Sequence, residues 1–342
     1  MFPEEPEQAS SWLEPDLMLS PPTPRRRRTL AAVCAVLLVA SLIGVANRPR
    51  GDEPVAAGSV SMRDVDPSGE AMPVGDLDGW RQVFTDDFAT DVPLGEFPDA
   101  VADKWSAYPS PVKDTFRHGT YSPQSVVSIG GGVLNQYIHA EGRVFMVSAL
   151  LPKVPGTDNQ GQLYGRYAVR FKADPIDGYK MAWLLWPDSG KWPRDGEIDF
   201  PERNLVSDNV NGFVHHQGAR HGSDQTSAKV AYDSSAWHTA VIEWSPDLVV
   251  FTLDGVEIRR ITDRVPRTPM HWVLQTETML TSKRPPKTAA GNVQIDWVAA
   301  WQYDPTAVAP PPPTTAPAPP TTASPPTPTA RPTFTRYLVI RS

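Results

Sequence analysis

Apolar and polar residues alternate along many short stretches between residues 80 and 304. In YAVRFKA, the side chains of Tyr167, Val169 and Phe171 would share one face of a β-strand. Similar stretches rich in Val, Ile, Phe, Tyr and Trp are bounded by Gly, Pro, Asp and Asn. In VVFTLDGVEIRR, the Asp-Gly pair favours the positive φ angles of a two-residue hairpin turn. Since no stretch shows sustained helical periodicity, the pattern predicts one large antiparallel β-sandwich domain over residues 80–304.

The N-terminal region has a different pattern. Residues 1–28 are acidic and Pro-rich before they end in RRRR, which predicts a disordered cytoplasmic tail. Residues 29–46 carry no charge and have the minimum length of a transmembrane helix. The preceding arginines favour a cytoplasmic N-terminus, so we expect a single-pass anchor in the cell membrane with the rest of the chain outside. The alternative is a signal peptide that is cleaved after the small residues 44–46, which would release a secreted protein.

Two further segments lack any periodic pattern. Residues 47–79 are polar and contain scattered Gly and Pro, which predicts a stalk. Residues 305–342 form a Pro/Thr-rich low-complexity tail, and such a composition favours extended polyproline conformation over a packed core. The predicted architecture is therefore an all-β domain between disordered tails.

Composition excludes several classes of function. The net charge is -7 and no basic stripe exists outside Arg25–Arg28, which argues against a nucleic-acid partner. The single cysteine, Cys34, excludes a disulfide framework and a cysteine-based zinc site. We expect a monomer that requires no cofactor.

The segment WPRDGEIDFPE (192–202) contains three closely spaced carboxylates. Glu197 and Asp199 would share one face of a strand, because side chains two residues apart point the same way. Glu202 has the opposite parity, and Pro201 before it cannot donate a ladder hydrogen bond. The segment is therefore either a strand broken by proline or a strand that is bent at a bulge.

A β-bulge at Phe200–Pro201 would bring Glu202 to the face of Glu197 and Asp199, since it inserts one extra residue. The Cα atoms of Glu197 and Glu202 would then lie about 13 Å apart. If the two side chains lean together, their carboxyl groups can approach to about 5–5.5 Å, the separation typical of a retaining glycosidase. Asp199 between them would separate the pKa values of the outer two acids.

A solvated strand face with Pro201 at its edge is the alternative interpretation. Three acids without an interleaved Lys or Arg argue against it, since crowded like charges are costly unless they are used. A calcium or magnesium cage would need more oxygen ligands than one strand offers, so we predict no metal at these acids.

GEIDFPE resembles the catalytic motif of glycoside hydrolase family 16, the laminarinase and lichenase family, in its bulge-containing form. The resemblance covers residues 82–303 and includes YGRYAVRFKADPIDGYKMAWLLWPDSGKWPRDGEIDFPE, WHTAVIEWSPDLVVFTLDG and VQIDWVAAWQY. It implies a concanavalin-like β-jelly-roll sandwich with a concave substrate cleft. It also implies that Glu197 is the nucleophile, Asp199 the assisting residue and Glu202 the general acid/base.

The resemblance implies further substrate-binding residues. Trp183 matches a cleft tryptophan of the family and Trp192 the tryptophan before the motif, and indole rings are suitable platforms for the C–H faces of sugars. We assign Trp186 to core packing instead. His215 or His216 matches a cleft histidine, and His215 is preferred, since adjacent strand residues face opposite ways.

The sequence departs from the family pattern in MHWVLQTETML, where Gln275 and Glu277 replace part of a Gly-rich stretch. Gln275 and Glu277 either line the cleft or form the polar face of a strand, and Gln275 is a further candidate for substrate binding. Asp296 matches a residue that binds a structural calcium ion in some relatives, but no sufficient ligand set accompanies it.

Together these features predict a retaining endo-glycosidase that hydrolyses a β-linked polysaccharide, such as a β-1,3- or mixed-linkage glucan. One alternative is a transglycosylase that remodels cell-envelope polysaccharide by the same chemistry with a sugar acceptor. The other is a non-catalytic carbohydrate-binding sandwich, for which the paired carboxylates would have no use.

Overall fold

The computed structural model describes residues 66–311, which form strands with one short helix, α1 (Pro123–Val126), and one 3₁₀ turn (Asp99–Val101). The strands in these residues are β1 (Trp80–Asp86), β2 (Trp105–Ala107), β3 (Gly119–Tyr121), β4 (Val127–Gly130), β5 (Val133–Glu141), β6 (Val144–Val147), β7 (Ala149–Pro152), β8 (Gly165–Ala173), β9 (Tyr179–Pro187), β10 (Glu197–Asn204), β11 (Asn209–His215), β12 (Gln225–Ala231), β13 (His238–Ser245), β14 (Leu248–Leu253), β15 (Val256–Ile261), β16 (Met270–Thr278) and β17 (Gly291–Tyr303).

The strands form two sheets. The ten-stranded sheet has the order β15-β14-β13-β8-β17-β5-β6-β3, with β1 paired to β17 and β4 paired to β5. The seven-stranded sheet has the order β12-β11-β10-β9-β16-β7-β2. Neighbouring strands are antiparallel except for β3 and β6. The strand β10, which carries the three acids, therefore lies well inside the seven-stranded sheet.

The core lies between the two sheets. Tyr167 and Phe171 of β8 point from the ten-stranded sheet toward the seven-stranded sheet. Both are buried, as the alternation in YAVRFKA predicts. Tyr167 contacts Trp272 of β16 with 5.3 Å between ring centroids, and Phe171 contacts Trp183 of β9 at 5.0 Å. The all-β sandwich predicted from the pattern is confirmed.

The predicted Asp-Gly hairpin is also present. Leu253 of β14 pairs directly with Val256 of β15, so the loop contains only Asp254 and Gly255. Their φ angles are 51° and 76°, which is the region that a tight hairpin turn requires.

Residues 66–79, which we expected to be part of a stalk, belong to the folded domain. Met72 and Leu77 pack against the buried side chains of Trp297 and Trp301 on the ten-stranded sheet. The indole nitrogen of Trp301 donates a hydrogen bond to the carbonyl of Gly75 at 2.9 Å. The stalk prediction is wrong for this segment because its few apolar residues cover Trp297 and Trp301 instead of being solvated.

Other predicted segments lie outside the described residues. They are the tail over residues 1–28, the anchor over residues 29–46, residues 47–65 of the stalk and all of the 305–342 tail beyond residue 311. Within residues 66–311, no helix is both long enough and apolar enough to cross a membrane. The membrane anchor, and with it the cellular location, remains a prediction.

Candidate active site

The strand β10 contains the bulge that the parity of Glu202 requires. Asp199 lies opposite Leu184 and Glu202 opposite Ala182, so three steps along β10 match two along β9. The register with β11 shifts at the same place. Because directly opposed residues share a face, Asp199 and Glu202 lie on the same side of the sheet. The prediction of a bulge at Phe200–Pro201 is confirmed.

The three acids lie on the face of the seven-stranded sheet that is turned away from the ten-stranded sheet, which we call the outer face. Glu197 pairs with His215 of β11, and Gln275 of β16 pairs with Ala182, which is also the partner of Glu202. Other residues at outer-face positions are Lys180, Leu184, Trp186 and Glu277. Glu197, Asp199, Lys180, Gln275 and Glu277 are all less than 8% exposed. The outer face is therefore polar but shielded from solvent.

Glu197, Asp199 and His215 form a tight cluster. The Nδ1 atom of His215 lies 2.7 Å from the carbonyl oxygen of Gly222, and a carbonyl only accepts, so Nδ1 carries a proton. The Nε2 atom lies 3.5 Å from Oε2 of Glu197 and 3.6 Å from Oδ2 of Asp199. Burial lowers the pKa of His215, although the hydrogen bond to Gly222 and the charge of Glu202 oppose that effect. A neutral imidazole therefore presents its acceptor nitrogen to the two carboxyl groups.

Burial also dominates the protonation of the two carboxyl groups. Burial raises the pKa of Glu197 from 4.5 to about 8. The hydrogen bonds that Glu197 makes with Trp192 and Asp199 lower this pKa, but their effect is smaller. Burial raises the pKa of Asp199 as well, and the neighbouring charges of Glu197 and Glu202 act in the same direction. Since like charges so close cannot all be ionised cheaply, the cluster retains a proton near neutral pH.

Glu202 has a different environment, because it contacts a buried cation. The ammonium group of Lys180 binds Oε1 of Glu202 and lies 3.5 Å from Oε1 of Glu277. Burial alone would lower the pKa of Lys180, but the charges of Glu202 and Glu277 outweigh it and the pKa is raised. Lys180 is therefore protonated and forms a charge bridge between β10 and β16.

Two tryptophans lie beside Glu197. The indole nitrogen of Trp192 donates a hydrogen bond to Oε2 of Glu197 at 2.6 Å. The rings of Trp186 and Trp192 are nearly parallel, with 6.3 Å between centroids and 17° between planes. Trp192 therefore contacts the proposed nucleophile, and Trp186 packs beside it. The role of Trp192 in substrate binding stays a prediction.

Trp183 does not lie on the outer face. It pairs with Leu274, is fully buried, and contacts Phe171 of the other sheet. The prediction that Trp183 binds substrate is wrong. Trp186 is buried in the main hydrophobic cluster, as the assignment to core packing predicts, although its position along β9 places it on the outer face. Trp183 and Trp186 differ by an odd number of residues on one strand, so they necessarily point to opposite faces.

Gln275 lies on the outer face in a polar cluster. Its Oε1 atom accepts a hydrogen bond from the hydroxyl of Tyr121 at 3.3 Å. Tyr121 contacts Tyr108 edge to face, with 5.5 Å between ring centroids. Burial, and then the charge of Glu197, raise the pKa of Tyr108 to about 12. Tyr108 therefore brings a further aromatic residue, which the sequence did not indicate, close to Glu197.

Glu197, Asp199 and His215 also form a group whose ligand atoms lie within 4.8 Å of one another, close enough to share a metal ion. The carboxylate of Asp296, the candidate calcium ligand, accepts a hydrogen bond from the backbone N–H of Ser68 at 3.2 Å. Among the described residues, Asp296 belongs to no such group of acids and histidines. A structural calcium ion at Asp296 stays a prediction.

Two charged site residues, Lys180 and Glu277, have no predicted role in the motif. Lys180 is the only charged residue in YKMAWLLWP, and its alternation with Trp186 would have placed both on one face. Lys180 pairs with Glu277 because of the register between β9 and β16. A local sequence pattern does not specify that register.

The sequence matches a known protein family. Residues 155–299 match the model of Glycosyl hydrolases family 16. The matched region runs from before β8 into β17 and includes every residue that we predicted for the site. No curated protein matches the sequence.

Several solved structures resemble the described fold. A non-specific endo-β-1,3(4)-glucanase from family GH16 has a TM-score of 0.56 at 20% identity, covering 68% of this chain and 94% of that chain. The laminarinase from Rhodothermus marinus has a TM-score of 0.55 at 20% identity, covering 66% and 98%. The catalytic domain of an endo-1,3-β-glucanase from Thermotoga petrophila RKU-1 has a TM-score of 0.55 at 16% identity, covering 66% and 99%. The two-sheet sandwich is thus that of the family 16 jelly rolls. Residues 155–299 therefore carry a Glycosyl hydrolases family 16 domain, which makes the protein a glycoside hydrolase.

Proposed function

We propose that the protein is a retaining endo-hydrolase of a β-1,3- or mixed-linkage glucan, with its substrate on the outer face of the seven-stranded sheet. The observation that carries the proposal is the bulge in β10, which gathers Glu197, Asp199 and Glu202 on that face. A retaining glycosidase needs two carboxyl groups beside the scissile bond, one as nucleophile and one as general acid/base.

The acids are proposed to have the roles that the resemblance of GEIDFPE to the family motif implies. Glu197 attacks the anomeric carbon and forms a glycosyl-enzyme ester, while Glu202 protonates the departing glycosidic oxygen. Glu202 then removes a proton from water, which attacks the ester and restores both side chains. Asp199 and His215 act on Glu197, since their polar atoms surround its carboxyl group. The raised pKa values of Glu197 and Asp199 support a shared proton in the resting enzyme.

The substrate class is supported by the similar structures, which are those of endo-β-1,3(4)-glucanases and laminarinases. The aromatic residue beside Glu197 supports it independently. The half-buried ring of Trp192 offers an apolar surface to the C–H face of a pyranose ring, and the nearly parallel ring of the buried Trp186 packs beside it. Endo action is proposed from the same structures.

We propose further that residues 29–46 anchor the protein in the cell membrane with the hydrolase domain outside, where a polysaccharide substrate would be met. The uncharged stretch and the four preceding arginines support this location. Fractionation of cells that express the full chain, followed by protease treatment of intact cells, tests it. A full-length protein in the soluble fraction would contradict the anchor.

Release of reducing sugar by the full chain tests the activity. We expect release from β-1,3-glucan or mixed-linkage β-glucan, with galactan as the comparison substrate. E197Q should reduce the rate below detection and leave the far-UV circular dichroism spectrum unchanged. An unchanged rate in E197Q would contradict the assignment of the nucleophile. Added acceptor oligosaccharides separate hydrolysis from transglycosylation, since only a transglycosylase would extend them.

A further inference from the structure

We propose that Lys180 is a positioning residue for Glu202, and that Lys180 and Glu277 together set the pH at which Glu202 loses its proton. The inference rests on the proposed role of Glu202 as the general acid/base. It concerns two residues that the catalytic motif does not contain. Its physical basis is the buried ammonium group of Lys180 on β9, which lies between the carboxylates of Glu202 and Glu277 on the two flanking strands.

The geometry of this charge bridge is fixed by three neighbouring strands. Lys180 of β9 lies opposite Glu277 of β16, and Glu202 of β10 lies opposite Ala182 of β9. The side chain of Lys180 is 6% exposed and that of Glu277 is 2% exposed, whereas Glu202 is 22% exposed. The ammonium group therefore has a fixed position, and Glu202 alone of the three reaches toward solvent. A fixed cation at one oxygen of Glu202 orients the carboxyl group.

The charged groups around Glu202 come from each adjacent strand. Glu197 and Asp199 precede it on β10, Lys180 faces it from β9, and His215 lies on β11. The residue directly opposite Glu202 on β11 is the neutral Asn211. Further away lie Glu277 on β16 and Asp114, which binds the backbone N–H and hydroxyl of Thr278. Lys180 is the only cation of this group that contacts Glu202.

A cation at this position opposes the role of a general acid. An opposite charge within about 4–6 Å favours the ionised form of a carboxyl group. Lys180 therefore promotes loss of the proton from Glu202, which must be protonated when the glycosidic bond breaks. Glu277 counteracts Lys180, because its negative charge neutralises part of the field of the ammonium group. The balance between the two residues determines how far into the alkaline range Glu202 stays protonated.

The pH profile of kcat/KM tests this balance, because the two single substitutions move it in opposite directions. K180M removes the cation, so the alkaline limb should move upward by about one to three pH units. E277Q removes the opposing anion, so the alkaline limb should move downward. K180R keeps the charge and should restore the wild-type limb. A purely structural role would lower kcat in these variants without opposed movements of the limb.

Two more variants control for effects of substitution that do not depend on the charge bridge. K180M leaves Glu277 buried without its cation, so the double variant K180M/E277Q provides a form with a smaller imbalance of charge. Its limb should lie between those of the two single variants. K229M is the matched control, because Lys229 is exposed on β12 and lies two strands from Glu202 on the same face. K229M should leave the profile unchanged.

A measurement without substrate separates this inference from the proposed function. The full chain labelled with ¹³C-carboxyl glutamate is titrated by NMR, and the Glu202 signal is identified by its loss in E202Q. We expect the midpoint for Glu202 to rise in K180M and to fall in E277Q. These movements would support the inference even if no glucan is hydrolysed. Unchanged midpoints, or movement in the same direction in both variants, would overturn it.

Discussion

The two faces of the seven-stranded sheet are similarly buried but chemically opposite. The inner face carries Trp183, Leu185 and Ile198, which pack against the ten-stranded sheet. The outer face of the same strands carries Lys180, Glu197 and other polar side chains that are equally shielded from water. On the inner face burial stabilises the fold through apolar contact. On the outer face burial changes protonation, since a desolvated charge is costly.

The comparison shows that burial alone does not identify a core residue in this protein. The parity of a residue along its strand decides whether its environment is apolar packing or a set of interacting charges. Acid-rich burial is unfavourable for folding, which is the usual sign of a functional site. Substitutions on the outer face should therefore affect catalysis, and those on the inner face should affect stability.

The largest difference between an effect on catalysis and an effect on stability is expected between E202Q and I198V. E202Q removes the proposed general acid/base and should lower kcat by about 10²–10⁴-fold. I198V trims a fully buried inner-face residue of the same strand and should cost about 0.5–1.5 kcal/mol of unfolding free energy. Initial rates of reducing-sugar release and urea unfolding of both variants measure the two effects. A large loss of kcat in stably folded I198V would contradict the separation of the faces.

The two tryptophans of β9 provide the next test. W183A removes a fully buried ring between the sheets and should lower the unfolding free energy by about 3–5 kcal/mol, without a change in KM of the folded enzyme. W186A removes the same side chain from the outer face. Trp186 is also buried, so W186A should destabilise too, but it should raise KM by about 2- to 10-fold because the ring that packs beside Trp192 is lost. Equal KM values in both variants would contradict the placement.

The pH dependence of stability sharpens the comparison further. The pKa of Glu197 rises from 4.5 in the unfolded chain to about 8 in the fold, so the native state keeps a proton that the unfolded state releases. The unfolding free energy should therefore fall as pH rises from about 4.5 to about 8, with a limit of about 1.4 kcal/mol per pH unit for one group. In E197Q this contribution is absent, so the fall should be shallower. Parallel curves from urea unfolding at several pH values would refute the desolvation of Glu197.

Much of the fold could be predicted from local patterns. The alternation in YAVRFKA gave the inner face of β8, and the Asp-Gly pair gave the turn between β14 and β15, because both signals lie within a few residues. The bulge at Phe200–Pro201 was also predictable, since Glu202 and Pro201 fit a strand only if one residue is inserted.

Other features depend on contacts that are distant along the chain. Trp183 was misplaced because KMAWLLWP is apolar on both faces, so its pattern does not distinguish inside from outside. Residues 66–79 were misread because their partners, Trp297 and Trp301, come more than 200 residues later. The bridge from Lys180 to Glu202 and Glu277 needs the register of three strands, which only the assembled sheet provides.

The smallest effect of a substitution is expected at the far side of the outer face. There the hydroxyl of Tyr121 donates a hydrogen bond to Gln275. Y121F removes one buried hydrogen bond and should cost about 0.5–1.5 kcal/mol of unfolding free energy. A double-mutant cycle with Q275L isolates the contact, because its coupling energy should be of that size if the hydrogen bond is the only link. If Gln275 also binds substrate, KM should rise in Q275L and much less in Y121F, which keeps the amide. Equal effects on KM would mean that Gln275 serves only to hold Tyr121, and the binding role predicted for Gln275 would be withdrawn.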